Sequence, residues 1–324
     1  MSSTLRSDQG DAALSTRGPF HLEATVRVLQ RRPANRVDIW EQGRYLRVSA
    51  TADGLALVEV ENRGTIAEPD VRFAIRSGNP TAAARQGIGL TLRKVLGLDI
   101  DPEPFQRLAA AEPTLRAMAR ALRGMRPPQF GDLFEAFANV VPFQQLSLEA
   151  GVAIVGHLVE RFGESLKYGS RRFQAIPTAR AIAEARLTAL RACGLSSRKA
   201  ETLRHLARAI ESGELVEERI ARMTTNAALQ TLRDLPGIGP WSAGLVLLRG
   251  LGRLDVFPPG DVGATRGLSA LMHVEPGAPL GHVVERFGDL RGYLYFCALG
   301  ASLMKKGLIH AAPSSPHRRY SGSV

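Results

Sequence analysis

The segment Leu235-Pro236-Gly237-Ile238-Gly239-Pro240 constrains the fold of this 324-residue chain more than any other. Ahead of it, Leu229 and Leu232 share one face of a short helical stretch. Behind it, Pro240 has the fixed φ and missing N–H that suit the first position of a new helix. Two helices therefore meet at a glycine corner. Gly237 and Gly239 carry no Cβ, so their N–H groups can come close to a phosphate, and the free N–H groups that open the second helix add positive potential. Ile238 is expected to point inward as an anchor. A ligand-free αα-hairpin with a glycine-rich turn satisfies the same local pattern, so the corner alone leaves both readings open.

Hydrophobic periodicity divides the rest of the chain. From residue 21 to 76 the period is two: Leu22, Ala24, Val26 and Val28 alternate with His21, Glu23, Thr25 and Arg27, and Val71, Phe73 and Ile75 with Arg72, Ala74 and Arg76, and both runs predict half-buried strands. Asp53-Gly54, between Tyr45–Ala50 and Leu55–Val60, predicts a tight hairpin turn. After about residue 80 the period becomes helical, beginning with Leu115, Met118, Ala119 and Leu122 behind Pro113. Asp132 with Glu135 resembles a capping box, Ser147 opens a helix that Gly163 closes, and Leu203, Leu206, Ala207 and Ile210 line a further helix ended by Gly213. The predicted class is α+β, an N-terminal antiparallel sheet domain over residues 19–110 followed by an all-helical region over 111–310. Residues 1–18 and 311–324 lack periodicity and are expected to be disordered.

Lys and Arg number 42 against 31 Asp and Glu, a net charge of +11 that favours a polyanionic partner without saying which. Cys193 and Cys297 are too few and too far apart for a disulfide framework or a four-cysteine metal site. The polar first eighteen residues lack the apolar stretch of a signal peptide, and no later run is long enough for a membrane span. A soluble, cytoplasmic, nucleoid-associated protein with no membrane partner is expected.

The string LPGIGPWSA, followed 22 positions after Gly239 by the Asp261 that ends Phe257-Pro258-Pro259-Gly260-Asp261, resembles the helix-hairpin-helix DNA glycosylase superfamily. RVDIWEQGRYLRV (36–48), GLDIDPEPF (97–105), RPPQFGDLFEAF (126–137), QQLS (144–147) and the stretch 177–210 are similar to the DNA-3-methyladenine glycosylase II (AlkA-like) family. By itself a Pro-Pro-Gly-Asp turn more often makes Asp a helix N-cap. The resemblance implies that the helical region is a glycosylase core of two subdomains with a cleft between them. It implies that Asp261 is catalytic and that Leu235, Gly237, Gly239, Trp241 and Ser242 hold a DNA phosphate.

It further implies that Gln145, with Gln144 beside it, is the wedge that fills the stack vacated by an everted nucleotide. An aromatic base pocket is expected from Trp241, with Phe143, Tyr293 and Tyr295 as further candidates. Leu245 and Leu299 stand where familiar family members place Tyr and Trp, and Pro142 departs from the usual pattern before the glutamines. Relatives that also cut the backbone use a lysine two positions after the hairpin glycine, where this chain has Trp241. The implied activity is monofunctional release of 3-methyladenine and related bases from double-stranded DNA. No metal or organic cofactor is expected, a structural monovalent cation at the hairpin carbonyls is implied, and the protein is expected to be a monomer. A non-catalytic DNA-binding module, a glycosylase-lyase and a helical scaffold are the competing readings.

Overall fold

The computed structural model describes residues 11–275 and 280–312. Five strands, β1 (Ala12–Ala13), β2 (Ile39–Glu41), β3 (Arg44–Thr51), β4 (Gly54–Asn62) and β5 (Val71–Ser77), form an antiparallel sheet in the order β1-β5-β4-β3-β2. The turn joining β3 to β4 is Ala52-Asp53, one residue before the expected Asp53-Gly54; Gly54 opens β4 at φ +108°, which only a residue without a Cβ adopts without strain.

The run at 22–28 is a helix, α1 (Leu22–Gln30), and the strand expectation for it is corrected. The alternation of Leu22, Ala24, Val26 and Val28 with Glu23, Thr25 and Arg27 also fits a helix in which only one narrow face is polar. Thr25 and Leu29 are buried, while Glu23 and Arg27, four apart, are the two that keep exposure. A strand with the even positions inward would turn Leu29 to water and forfeit about 1.5–3 kcal/mol of burial.

Helices α2 (Ala82–Val95) and α3 (Glu103–Ala111) follow the sheet, inside the span expected to be the sheet domain. The helical region then comprises α4 (Arg116–Ala121), α5 (Leu133–Ala138), α6 (Leu148–Phe162), α7 (Ala179–Ala183), α8 (Leu187–Ala192), α9 (Ser197–Glu211) and α10 (Glu217–Ala221). It continues through α11 (Thr225–Arg233), α12 (Pro240–Gly250), α13 (Val262–Met272), α14 (Gly281–Arg286) and α15 (Tyr293–Lys305). It is not all-helical: β6 (Ser165–Tyr168) and β7 (Arg171–Gln174) form a hairpin. Phe173, Ala175 and Leu166 from this hairpin cover Leu46, Val48 and Leu57 on one sheet face, and the other face joins the main core through Tyr45, Val58, Val60 and Phe73. The main core runs without a break from Leu14 to Ile309.

Residues 11–18, expected to be disordered, are part of this fold, and the reason lies far away in sequence. The buried Arg126 donates to the carbonyls of Arg17 and Pro19, Arg93 donates to Ser15 O at 2.7 Å, and Leu14 N donates to Val71 O at 2.8 Å. Residues 1–10 and 313–324 lie outside the described residues. The two parts of the chain are bolted together at Arg249, the one arginine of α12. Fully buried, it lies with its guanidinium 4.6 Å over the Phe130 ring, and its Nη2 reaches the carbonyls of Val28 and Leu29 at the end of α1, each at 3.5 Å. A cation suits the C-terminal end of a helix, but burial and the neighbouring Arg31 push the guanidinium down to about 9.

Candidate active site and nucleic-acid interface

The two hairpin glycines serve different ends. Gly237 has φ +81°, and a Cβ there would come within 2.2 Å of Thr202 Oγ1 on α9, so the fold itself requires glycine. Gly239 has an ordinary φ of −91°, is exposed, and would meet nothing within 4 Å if it carried a Cβ. Its missing side chain leaves space toward the solvent side, where a phosphate would come. Ile238 is buried, as expected. Gly239 gives α12 no side-chain cap, and the first bond into the helix runs from Ala243 N to Gly239 O at 2.9 Å. The amides of Trp241 and Ser242 therefore open the helix without a partner among the described residues, which is the arrangement that binds anions.

Asp261 stands at the start of α13, behind Pro258, Pro259 and a Gly260 with φ +71°. Its Oδ1 accepts from Ala264 N at 2.8 Å, so it is an N-cap in the ordinary sense. Its Oδ2 accepts from Trp241 Nε1 at 2.8 Å, and this bond ties the carboxylate to the first turn of the hairpin helix. Close packing keeps the two helices in register: a Cβ on Gly244 of α12 would lie 3.1 Å from Pro259 Cδ and 3.3 Å from Pro258 Cα. Asp261 remains partly exposed and makes no ion pair among the described residues. A carboxylate so held has a fixed rotamer, spare lone pairs and an unneutralised charge.

The paired glutamines are separated by the structure. After a 3₁₀ turn at Val141–Phe143, Gln144 folds back, and its Nε2 donates to Gly237 O and Ser242 Oγ, each at 2.9 Å. Gln144 is thus a brace on the hairpin, not a projecting wedge. Ser242 is correspondingly buried with its hydroxyl engaged, so the expected phosphate contact from it is limited to its N–H. Gln145 is exposed and held at φ +56°, and Leu146 beside it keeps 46% of its surface. Ser147 then caps α6 through Ala150 N at 3.2 Å.

Two family models match consecutive stretches of the chain. Residues 11–132 match the AlkA N-terminal domain, and residues 139–286 match the HhH-GPD superfamily base excision DNA repair protein. Residues 139–286 are thus an HhH-GPD superfamily domain, preceded by an AlkA N-terminal domain. Among the chain's curated relatives, a DNA-3-methyladenine glycosylase of Bacillus subtilis is 33% identical over 190 residues, which cover 59% of this chain and 63% of that protein. DNA-3-methyladenine glycosylase 2 of Escherichia coli is 32% identical over 155 residues, 48% of this chain and 50% of that protein. The chain thus spans between half and two thirds of the length of these relatives. The solved 3-methyladenine DNA-glycosylase of Archaeoglobus fulgidus superposes with a TM-score of 0.75 at 26% identity, covering 93% of this chain and all of that one.

Against that background, the expected aromatic pocket is not assembled. Tyr293 is fully buried, its ring stacked 4.1 Å from Phe105 and its hydroxyl donating to Met125 O at 2.7 Å, so it is a core residue. Tyr295 is also buried, packed edge-on to Phe296, and its hydroxyl accepts from Arg31 Nη2 at 3.5 Å. Leu245 is buried in α12 and Leu299 is half-buried. Phe143 packs under the Arg31 guanidinium at 4.9 Å and against Gly151, where a Cβ would come within 2.2 Å of its ring. Trp241 alone of the four aromatics touches Asp261. A groove of about 860 Å³, lined by residues such as Arg47, Thr81 and Glu217, lies elsewhere, and Asp261 takes no part in it.

Lys199 was not singled out as a site residue by the sequence reading. It stands in the first turn of α9 behind the Ser196 cap, and its Nζ donates to Gln144 O at 2.6 Å and Pro142 O at 3.1 Å. A lysine in the first turn of a capped helix runs against the helix dipole, and that misplacement is the signal that could have found it.

Proposed function

We propose that this chain is a monofunctional DNA glycosylase that hydrolyses the N-glycosidic bond of alkylated bases, 3-methyladenine foremost, in double-stranded DNA. The observation that carries the reading is the Trp241–Asp261 hydrogen bond, which sets an unneutralised carboxylate one residue's reach from the anion-binding start of the hairpin helix. The relatives named for 3-methyladenine release supply the substrate class, and the basic net charge of +11 suits a polyanionic partner in the cytoplasm or nucleoid.

The mechanism follows from the charges. An N-alkylated purine is cationic and leaves readily, so little acid catalysis is needed at the base. As the bond lengthens, positive charge develops on the deoxyribose. Asp261 keeps lone pairs beyond its two accepted bonds and part of its surface in solvent, so it can stabilise that charge and orient water for attack. Trp241 and Ala264 hold the carboxylate still, so no reorganisation is needed at the moment of bond breaking. Hydrolysis leaves an abasic site.

Schiff-base chemistry at the hairpin is disfavoured, because Trp241 fills the lysine position and the Lys199 ammonium is committed to two carbonyls. A monovalent cation, if one binds at the hairpin, would be structural. Leu235 O accepts from Ile238 N and Gly237 O from Gln144, and each carbonyl keeps a second lone pair for such an ion.

The test is a set of duplex oligonucleotides carrying single alkylated, deaminated or oxidised bases, followed by alkaline cleavage. Release of 3-methyladenine by wild type and its loss in Asp261→Asn are expected. A wild type that releases no base, or one that is trapped on DNA by borohydride, contradicts the reading.

A further inference from the structure

We propose that Lys199 is a positioning residue that locks the wedge loop to the hairpin, so that insertion of Gln145 and grip on the phosphate occur in one fixed register. The inference rests on the glycosylase reading above and deepens it.

Gln145 occupies a left-handed backbone conformation, φ +56°. For a residue other than glycine this costs on the order of 1 kcal/mol and persists only where the surroundings dictate it. Both of its flanks are tied. On one side the Lys199 ammonium donates to the carbonyls of Pro142 and Gln144. On the other, Ser147 is committed as the cap of α6.

The same helix that carries Lys199 also sets the hairpin. Thr202, three residues along α9, packs where a Cβ on Gly237 would be, and Gln144 closes the triangle by donating to Gly237 O and Ser242 Oγ. Wedge loop, α9 and glycine corner are thus joined at three points, each within hydrogen-bonding or van der Waals reach. Two charge-assisted bonds from one ammonium to two carbonyls are stronger than neutral ones.

The placement of Lys199 is otherwise unfavourable. A cation in the first turn of a helix opposes the macrodipole, and partial burial lowers the affinity of this amine for its proton. Among the described residues it has no carboxylate partner to offset those costs; its ammonium bonds go to the two carbonyls of the wedge loop. What it gains is the conformation of the loop that carries Gln145.

A positioning role predicts that the penalty depends on how hard the base is to extrude. The experiment measures single-turnover release of one alkylated base from two substrates, a fully paired duplex and the same strand with the lesion in an unpaired bubble, using wild type, Lys199→Met and Lys199→Arg. Lys199→Met is expected to be slowed about tenfold on the duplex and less than about threefold on the bubble, because an already unpaired base needs little help to leave the stack. Lys199→Arg keeps a charged donor and should recover most of the duplex rate.

In a cycle with Gln145→Ala, Lys199→Met should add no further loss on the duplex, since both remove the same insertion. Equal slowing on both substrates, additive losses in the cycle, or no slowing on either would overturn the proposal. A Lys199→Met protein with a collapsed melting temperature would be replaced by Lys199→Gln under the same criteria. A wild type inert on both substrates would instead sink the glycosylase reading, which separates the two failures.

Discussion

Two carboxylate centres in this molecule are built from similar parts and put to opposite uses. On the sheet, Arg47 is sandwiched between Asp38 at 2.8 Å and Glu135, all three buried, with Tyr45 Oη donating to Asp38 at 2.7 Å. Burial opposes the charge on Arg47, but Glu135, Tyr45 and Asp38 together hold its guanidinium well above the ordinary range. Both carboxylates there face the same buried cation. At the hairpin, Asp261 is held as firmly, by Trp241 and Ala264, but only by neutral donors, and it stays partly exposed. A neutralised carboxylate can fasten β3 to α5; one left without a cation is available to meet positive charge that arrives with a substrate.

That contrast yields a ranked set of substitutions. The largest effect is expected for Asp261→Asn, which keeps the shape and loses the charge. Single-turnover release of 3-methyladenine should fall by about 10²–10⁴ while duplex affinity in a gel-shift assay stays within a few fold. Glu135→Leu should act the other way round. The Arg47–Asp38 pair stays balanced, but the buried Arg47 Nη2 and the Gly131 N–H lose their acceptor, which is expected to cost about 1–3 kcal/mol in denaturant unfolding, with the rate of base release per folded molecule little changed. If Glu135→Leu instead abolished release at full stability, the division between the two centres would be wrong.

Smaller effects sharpen the same division. Trp241→Phe removes one of the two donors to Asp261 and should slow release about tenfold, as expected for losing one hydrogen bond to a charged group, with no loss of melting temperature beyond a few degrees. The hairpin glycines should split. Gly239→Ala ought to melt as wild type does while its duplex affinity drops by a few fold and the salt dependence of binding flattens. Gly237→Ala ought to lose stability, because its Cβ would strike Thr202.

Much of the site was legible in the sequence, for physical reasons. A corner that needs glycine, a proline at the first helical position and an Asp at the next helix start are local requirements, and local requirements leave local signatures. The same holds for the Asp132 and Ser147 caps, each of which accepts a bond from the residue three places on. What failed depended on partners distant in sequence. Leu22–Gln30 reads as a strand until Thr25 and Leu29 are seen to be buried. Gln144 and Gln145 are adjacent, yet one is turned inward by Gly237, 93 residues away. Tyr293 belongs to the core because Phe105 and Met125 receive it, and no spacing in the sequence encodes that meeting.

The side chain of Trp241, as distinct from its backbone amide, contributes to the reaction only by holding Asp261. The direct measurement is the single-turnover rate of 3-methyladenine release in Asp261→Asn and in Asp261→Asn combined with Trp241→Phe. The two rates should coincide, because the tryptophan has nothing left to hold. A further tenfold drop in the double variant, equal to the loss that Trp241→Phe causes alone, would show the two residues acting independently and would contradict it.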